Sequence, residues 1–199
     1  RVNLIIEGTS QIMRLFIARE ALDPHLRRLK PLFSSRTSLG GKIQALISMG
    51  FYYTFWFPVL WLPCFAPASI TRLPAPLKKH MMFVRHTSKR LAREMFMKMV
   101  IYQQRLESKQ NLLARFVDIG TDLFVMAGVC SYASGIAGKK AAGEGASPIE
   151  LADLFCCQAR IRIAAQFRSV WNNNDKLANR VAKNVLSDKY EWMENEIIK

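Results

Sequence analysis

Along most of this chain apolar residues recur every three to four positions, and no stretch alternates with period two for long enough to form a strand. Ile12, Leu15, Phe16, Ala18 and Leu22 predict a first helix from about Ser10 to Leu29, ended by Lys30-Pro31. Asp23-Pro24 marks a point of kinking or splitting within it, because proline removes a helical donor. Leu77, Met81, Val84, Leu91, Met95 and Met99 predict a long helix over about Pro76 to Glu107. Leu112, Leu113, Phe116, Ile119, Leu123, Phe124, Met126, Val129 and Cys130 give the next a broad apolar face from about Ser108 to Ala137, where Gly120 and Gly128 permit close approach of a neighbour. Leu151, Leu154, Phe155, Ile163 and Phe167 place a further helix over about Pro148 to Trp171. A shorter helix follows the Asn172-Asn173-Asn174-Asp175 turn and runs to about Ser187, with a last turn or two including Trp192 and Met193. Long amphipathic helices with short connections predict an all-α, antiparallel helical bundle.

Two segments break this pattern. Residues 34–41 are polar and glycine-rich, as in a mobile linker, and residues 139–147 form a small Gly/Ala-rich loop. From Ile43 to Thr71 there is no charged residue, but Phe51, Tyr52, Tyr53, Phe55, Trp56, Phe57 and Trp61 crowd together. A bilayer-spanning helix needs roughly 20 unbroken apolar residues, and Pro58 interrupts this run. Dense Trp and Tyr suit a water–lipid interface; a buried core helix with a proline-rich exit is the other reading.

Charge tilts that choice towards lipid. The chain carries a net charge of +14, and a basic excess of this size implies an anionic partner. Lys78, Lys79, Arg85, Lys89, Arg90, Arg93, Lys98 and Arg105 follow the aromatic segment directly, opposed by only Glu94 and Glu107. Phe51, Tyr52, Phe55, Trp56, Trp61, Lys78 and Lys79 are therefore the expected membrane contacts, each basic residue contributing about 1 kcal/mol near an anionic surface. A basic nucleic-acid binder would explain the charge but not the aromatic segment, so no nucleic-acid partner is expected. Cys64, Cys130, Cys156 and Cys157 show no CxxC spacing, and His25, His80 and His86 no ligand spacing, so no metal site is predicted. On a helix the adjacent Cys156 and Cys157 point to different faces. Among the charged helical positions, Arg115, Asp118 and Asp122 share a face and predict intrahelical ion pairing, while Arg160 and Arg162 predict pairs with carboxylates across the bundle.

The chemistry is concentrated near the start, in Leu4-Ile5-Ile6-Glu7-Gly8-Thr9-Ser10-Gln11-Ile12-Met13-Arg14-Leu15. Three apolar residues before Glu7 would desolvate its carboxylate and raise its proton affinity, as a general base requires. Gly8 lets backbone approach a ligand closely, and Thr9 or Ser10 can cap a helix whose N-terminal N–H groups attract electron-rich atoms. This ordered string resembles the I-[YF]-E-G-T-x-x-I-x-R-L segment of the acyl-CoA dehydrogenases. Residues 110–126, continued by Asp153-Leu154-Phe155-Cys156, Ala159, Arg162 and Ile163, are similar to the extra C-terminal helical domain of the very-long-chain branch.

The resemblance implies that Glu7 removes the α-proton of an acyl thioester while FAD takes the β-hydride. It implies that Gly8 contacts substrate, that Thr9, Ser10 and Gln11 lie against FAD, and that Gln110 approaches FAD from the extra domain; an exposed helix-start glutamine is the competing view of Gln110. Arg14 stays open between an ion pair and a ligand contact. In that family the motif closes a body of several hundred residues, so this chain is expected to be a C-terminal part of a larger enzyme. Residues 1–30 would end the dehydrogenase helical domain, 31–75 would be linker and membrane-interfacial segment, and 76–199 the extra bundle. The implied partners are long-chain acyl-CoA, an electron-transfer flavoprotein, the remainder of the dehydrogenase, a membrane surface and a second copy in a homodimer. The implied location is peripheral, on the mitochondrial inner membrane (matrix side) or the bacterial cytoplasmic membrane. A non-catalytic, dehydrogenase-derived scaffold or anchoring subunit of a membrane complex is the alternative.

Overall fold

The computed structural model describes residues 9–33, 38–65, 67–138 and 146–193. Among them are seven α-helices and no strand: α1 (Ser10–Phe33), α2 (Leu39–Val59), α3 (Ala68–Thr71), α4 (Ala75–Tyr102), α5 (Gln110–Ala137), α6 (Ala146–Trp171) and α7 (Asp175–Leu186). Of the linker expected at 34–41, residues 34–37 lie outside the described residues, while Leu39, Gly40 and Gly41 are already the first turn of α2; of the loop expected at 139–147, residues 139–145 lie outside them and Ala146 and Ser147 open α6.

Local chemistry explains where the helices stop. α1 runs through Pro24 and Pro31 to Phe33, beyond the expected end, since each proline forfeits one backbone bond without closing the helical path. Pro58 likewise sits in the last turn of α2, where Ser38 caps the other end by accepting the Gly41 N–H at 3.2 Å. α4 ends five residues before the predicted Glu107, at Tyr102. Gln103 there adopts φ 47° and ψ −128°, a sparsely populated conformation that costs a non-glycine residue about 1–3 kcal/mol, and a 3-10 turn over Gln103–Ser108 carries the chain into α5.

Side-chain pairs fix the packing directions. Asp122 meets Arg162 and Cys130 meets Cys156, so α5 and α6 run antiparallel. His80 meets Asp153 and Glu94 meets Trp171, so α4 runs parallel to α6 and antiparallel to α5. One core fills the space between these helices: Leu77 of α4; Ile119, Leu123, Met126, Cys130 and Ala133 of α5; and Ala152, Cys156, Ala159, Ile163 and Phe167 of α6. Small residues at 152, 156 and 159 form a seam that lets α5 come close. A second core draws in α1, with Ala18 and Leu22 packed among Met99, Leu112, Leu113, Phe116, Val117 and Val170.

Of the two glycines expected at close approaches, a Cβ on Gly128 would meet nothing within 4 Å, and one on Gly120 would lie 3.7 Å from Leu91 Cδ2. That distance is ordinary van der Waals contact, so neither glycine is sterically required. Gly120→Ala is therefore expected to raise stability by about 0.8–1.0 kcal/mol, the helix-propensity difference; a fall in melting temperature would show that α4 packs closer than this.

Candidate functional site

Glu7 and Gly8 lie outside the described residues, which begin at Thr9. Thr9 does what a cap should: its Oγ1 accepts the Ile12 N–H at 3.4 Å and its carbonyl accepts the Met13 N–H at 3.1 Å. Ser10 follows, exposed, as the first residue of α1; the Gln11 backbone is helical, and its side chain is not among those described. α1 thus offers free N–H donors directly behind Glu7 in the sequence, the end of a helix that favours negative charge. Arg14 resolves as an ion pair, its Nε donating to Asp118 Oδ1 at 2.7 Å, which ties the motif helix to α5. Gln110 is exposed at the start of α5, two helical turns before Asp118. Neither of the two main clefts of the described residues is lined by Thr9, Ser10 or Gln110.

The expected membrane contacts divide into two sets. Phe51, Phe55 and Trp61 are exposed, and they extend a ridge on α2 and its exit that also includes Leu39, Ile43, Leu46, Ile47, Val59, Leu62 and Phe65. Tyr52 and Trp56 turn inward and are half-buried. The Arg28 guanidinium lies 4.0 Å over the Tyr52 ring, and Trp56 packs edge-on against Phe96 of α4 and His25 of α1. His25 Nδ1 and the Tyr53 hydroxyl are 2.8 Å apart. Burial, with Arg28 nearby, lowers the His25 pKa, and burial raises that of Tyr53, so both stay neutral around pH 7. Lys79 is exposed and Lys78 half-buried. Among the described residues no helix is long and apolar enough to cross a membrane.

The ion pairs correct one expectation from sequence. Arg115, Asp118 and Asp122 do not pair within α5; each reaches a different helix. Arg115 forms a fork with Asp175 at the start of α7, at 2.7 and 2.6 Å, and that pairing holds the Asp175 carboxyl below its usual range. Asp118 takes Arg14, and Asp122 takes Arg162 at 2.7 Å. Helical spacing brings residues within reach, but longer-range pairs win because they also satisfy charges that packing has partly desolvated. Arg162 thus pairs across the bundle as expected, whereas Arg160 lies 4.5 Å over the Phe83 ring. Lys98 is buried with its ammonium 3.3 Å from the Trp171 ring centroid, and burial lowers its pKa against the opposing pull of Glu94.

Sequence spacing missed one constellation. His80 is buried, and its Nε2 lies 2.6 Å from Asp153 Oδ1, a contact that holds the carboxyl below its usual range. Asp153 also lies 3.9 Å from Cys157 Sγ. The three ligand atoms fall within 4.8 Å of one another, but Nε2 is already engaged by Asp153, and the contact reads first as an α4–α6 tether. The i,i+4 spacing of Asp153 and Cys157 was visible; the arrival of His80 from another helix was not.

The family described as "ACAD9/ACADV, C-terminal domain" matches residues 76–190. The probable acyl-CoA dehydrogenases FadE10 of Mycobacterium tuberculosis (strain ATCC 25618 / H37Rv) and Mycobacterium bovis are 38% identical over 200 residues, covering 100% of this chain and 30% of their own length. The chain thus spans under a third of the curated relatives it matches. No solved structure matches it. With an all-α bundle in place and more than half its length within the family's match, the chain belongs to the acyl-CoA dehydrogenase family, as a carrier of the ACAD9/ACADV C-terminal domain.

Proposed function

We propose that the protein carrying this chain is a membrane-associated, FAD-dependent long-chain acyl-CoA dehydrogenase, which forms trans-2-enoyl-CoA during fatty acid β-oxidation. The observation that carries the reading is the Leu4–Leu15 string, with its carboxylate, glycine and capping threonine, on a chain of this family. Glu7, desolvated by Leu4, Ile5 and Ile6, takes the α-proton of the thioester. Gly8 leaves room for the thioester end of the substrate. Thr9 holds the start of α1 so that its N–H groups face the same region, and Ser10, Gln11 and Gln110 are the nearby polar contacts. FAD, when bound, supplies the hydride acceptor. Residues 1–30 close the dehydrogenase helical domain, 31–75 form linker and interfacial segment, and 76–199 form the extra bundle, a division supported by the family match beginning at residue 76. The electron acceptor is an electron-transfer flavoprotein, and the particle is a homodimer.

Membrane attachment rests on the exposed ridge of α2 beside the cationic α4. It is peripheral, on the mitochondrial inner membrane (matrix side) or the bacterial cytoplasmic membrane. Its use is physical, since long-chain acyl-CoA gathers at membranes. In sedimentation with phosphatidylserine vesicles the whole protein is expected to bind at low salt and to be released at high salt, with Phe51→Ser/Phe55→Ser weakening the binding at low salt. Binding that ignores both salt and the substitutions would rule this surface out.

The catalytic reading is tested by the visible absorbance of the native particle before and after palmitoyl-CoA is added. Flavin bands that bleach are expected. Absence of flavin, or flavin indifferent to substrate, would leave an anchoring or scaffold subunit that has inherited Glu7.

A further inference from the structure

Between α4 and α6, away from the motif helix, lies a cleft of about 510 Å³. Its walls are apolar: Phe83 on one side, Ile161 and Phe167 on the other. Two guanidiniums line it. That of Arg90 lies 4.1 Å over the Phe167 ring, and that of Arg160 lies 4.5 Å over the Phe83 ring. A guanidinium held over a ring face still has N–H donors to offer a ligand. Arg160 has no carboxylate partner among the described residues, and Arg90 has only Glu94 at a distant 3.8 Å. Thr87 is buried, lines the same cleft, and its hydroxyl makes no hydrogen bond among the described residues. A second cleft of about 380 Å³ opens beside the first and shares Phe83, Thr87 and Arg90.

Arg90 is exposed and Arg160 half-buried, so both guanidiniums, with the Thr87 hydroxyl, offer donors at the cleft that an anion can take up. A purely apolar ligand would desolvate both guanidiniums without compensation. A small inorganic anion would leave the aromatic walls wet. We propose that this cleft binds a single-chain amphiphile whose head is an oxyanion, carboxylate or phosphate. The head takes paired N–H donors from Arg90 and Arg160 and the Thr87 hydroxyl proton, while the chain lies along Phe83, Ile161 and Phe167. The volume is within the usual span of small-molecule sites. The proposal requires neither flavin nor turnover, so it stands or falls separately from the dehydrogenase reading.

Cys157 reports on the site, since it lines the cleft and is exposed whereas Cys64, Cys130 and Cys156 are buried. N-ethylmaleimide labelling of Cys157 in the whole protein, read at the peptide level by mass spectrometry, is measured with monomeric palmitate, hexadecyl phosphate or hexadecyltrimethylammonium. Palmitate or hexadecyl phosphate at about ten times its Kd is expected to slow labelling about tenfold, because only unoccupied protein reacts. The cationic amphiphile is expected to leave the rate unchanged. Whichever anion protects identifies the head group. Arg160→Ala and Arg160→Lys are each expected to weaken protection, with Cys130 and Cys156 still unlabelled as proof of folding. Equal protection by all three amphiphiles, or none by either anion, overturns the proposal without recourse to any variant.

Discussion

Glu7→Gln in the whole protein is expected to lower dehydrogenation by roughly 10²–10⁴-fold, the usual contribution of a positioned general base. Gln keeps the size of Glu and can accept hydrogen bonds, but it cannot take a proton from carbon at neutral pH. Flavin content and acyl-CoA binding are therefore expected to persist while the rate of bleaching by palmitoyl-CoA in stopped flow collapses. Loss confined to the chemical step is the signature of an interaction made in the transition state. A variant that still bleaches at the parental rate would place the base elsewhere and return Glu7 to a residue preceding a helix cap. Thr9→Ala makes a useful contrast. It removes the side-chain bond to the Ile12 N–H but leaves the carboxylate, so it perturbs the start of α1 and spares the base.

Phe116→Ala is expected to cost about 3–5 kcal/mol, the range for truncating a buried aromatic. Phe116 is 3% exposed and joins α5 to the α1 residues Ala18 and Leu22, so its loss leaves a hole where three helices meet. At roughly 2–4 °C per kcal/mol for a domain of this size, the melting temperature should fall by about 6–20 °C. Phe124, two turns further along the same helix, is 79% exposed, and Phe124→Ala is expected to stay within about 0.5 kcal/mol. Parallel thermal melts of the two variants check both numbers. Equal losses would mean that another part of the whole protein covers the outer face of α5.

These two phenylalanines show where the sequence stops being sufficient. Both belong to the same broad apolar stripe, and a stripe wider than one seam does not say which of its edges meets a neighbour. Phe51 and Trp56 present the same difficulty on α2, where aromatic density foretold an amphipathic role without saying that Trp56 would face α1 and α4. Arg14 was legible as a motif position and illegible as a partner, because its carboxylate lies 104 residues away.

What the sequence alone determined is local or carried by contiguous strings: helix positions from 3.6-residue periodicity, the all-α class from the absence of alternation, the family from ordered motifs, and Thr9 as a candidate cap. Each depends on residues close together in the chain, where geometry is set by the backbone itself. Tertiary structure alone decided the ion-pair partners of Asp118, Asp122 and Asp175, the buried His80–Asp153 tether, and the cleft between α4 and α6 with its two stacked arginines. Those depend on which helix faces meet, and that choice is made by the shapes of whole cores, such as the small seam of Ala152, Cys156 and Ala159 that admits α5.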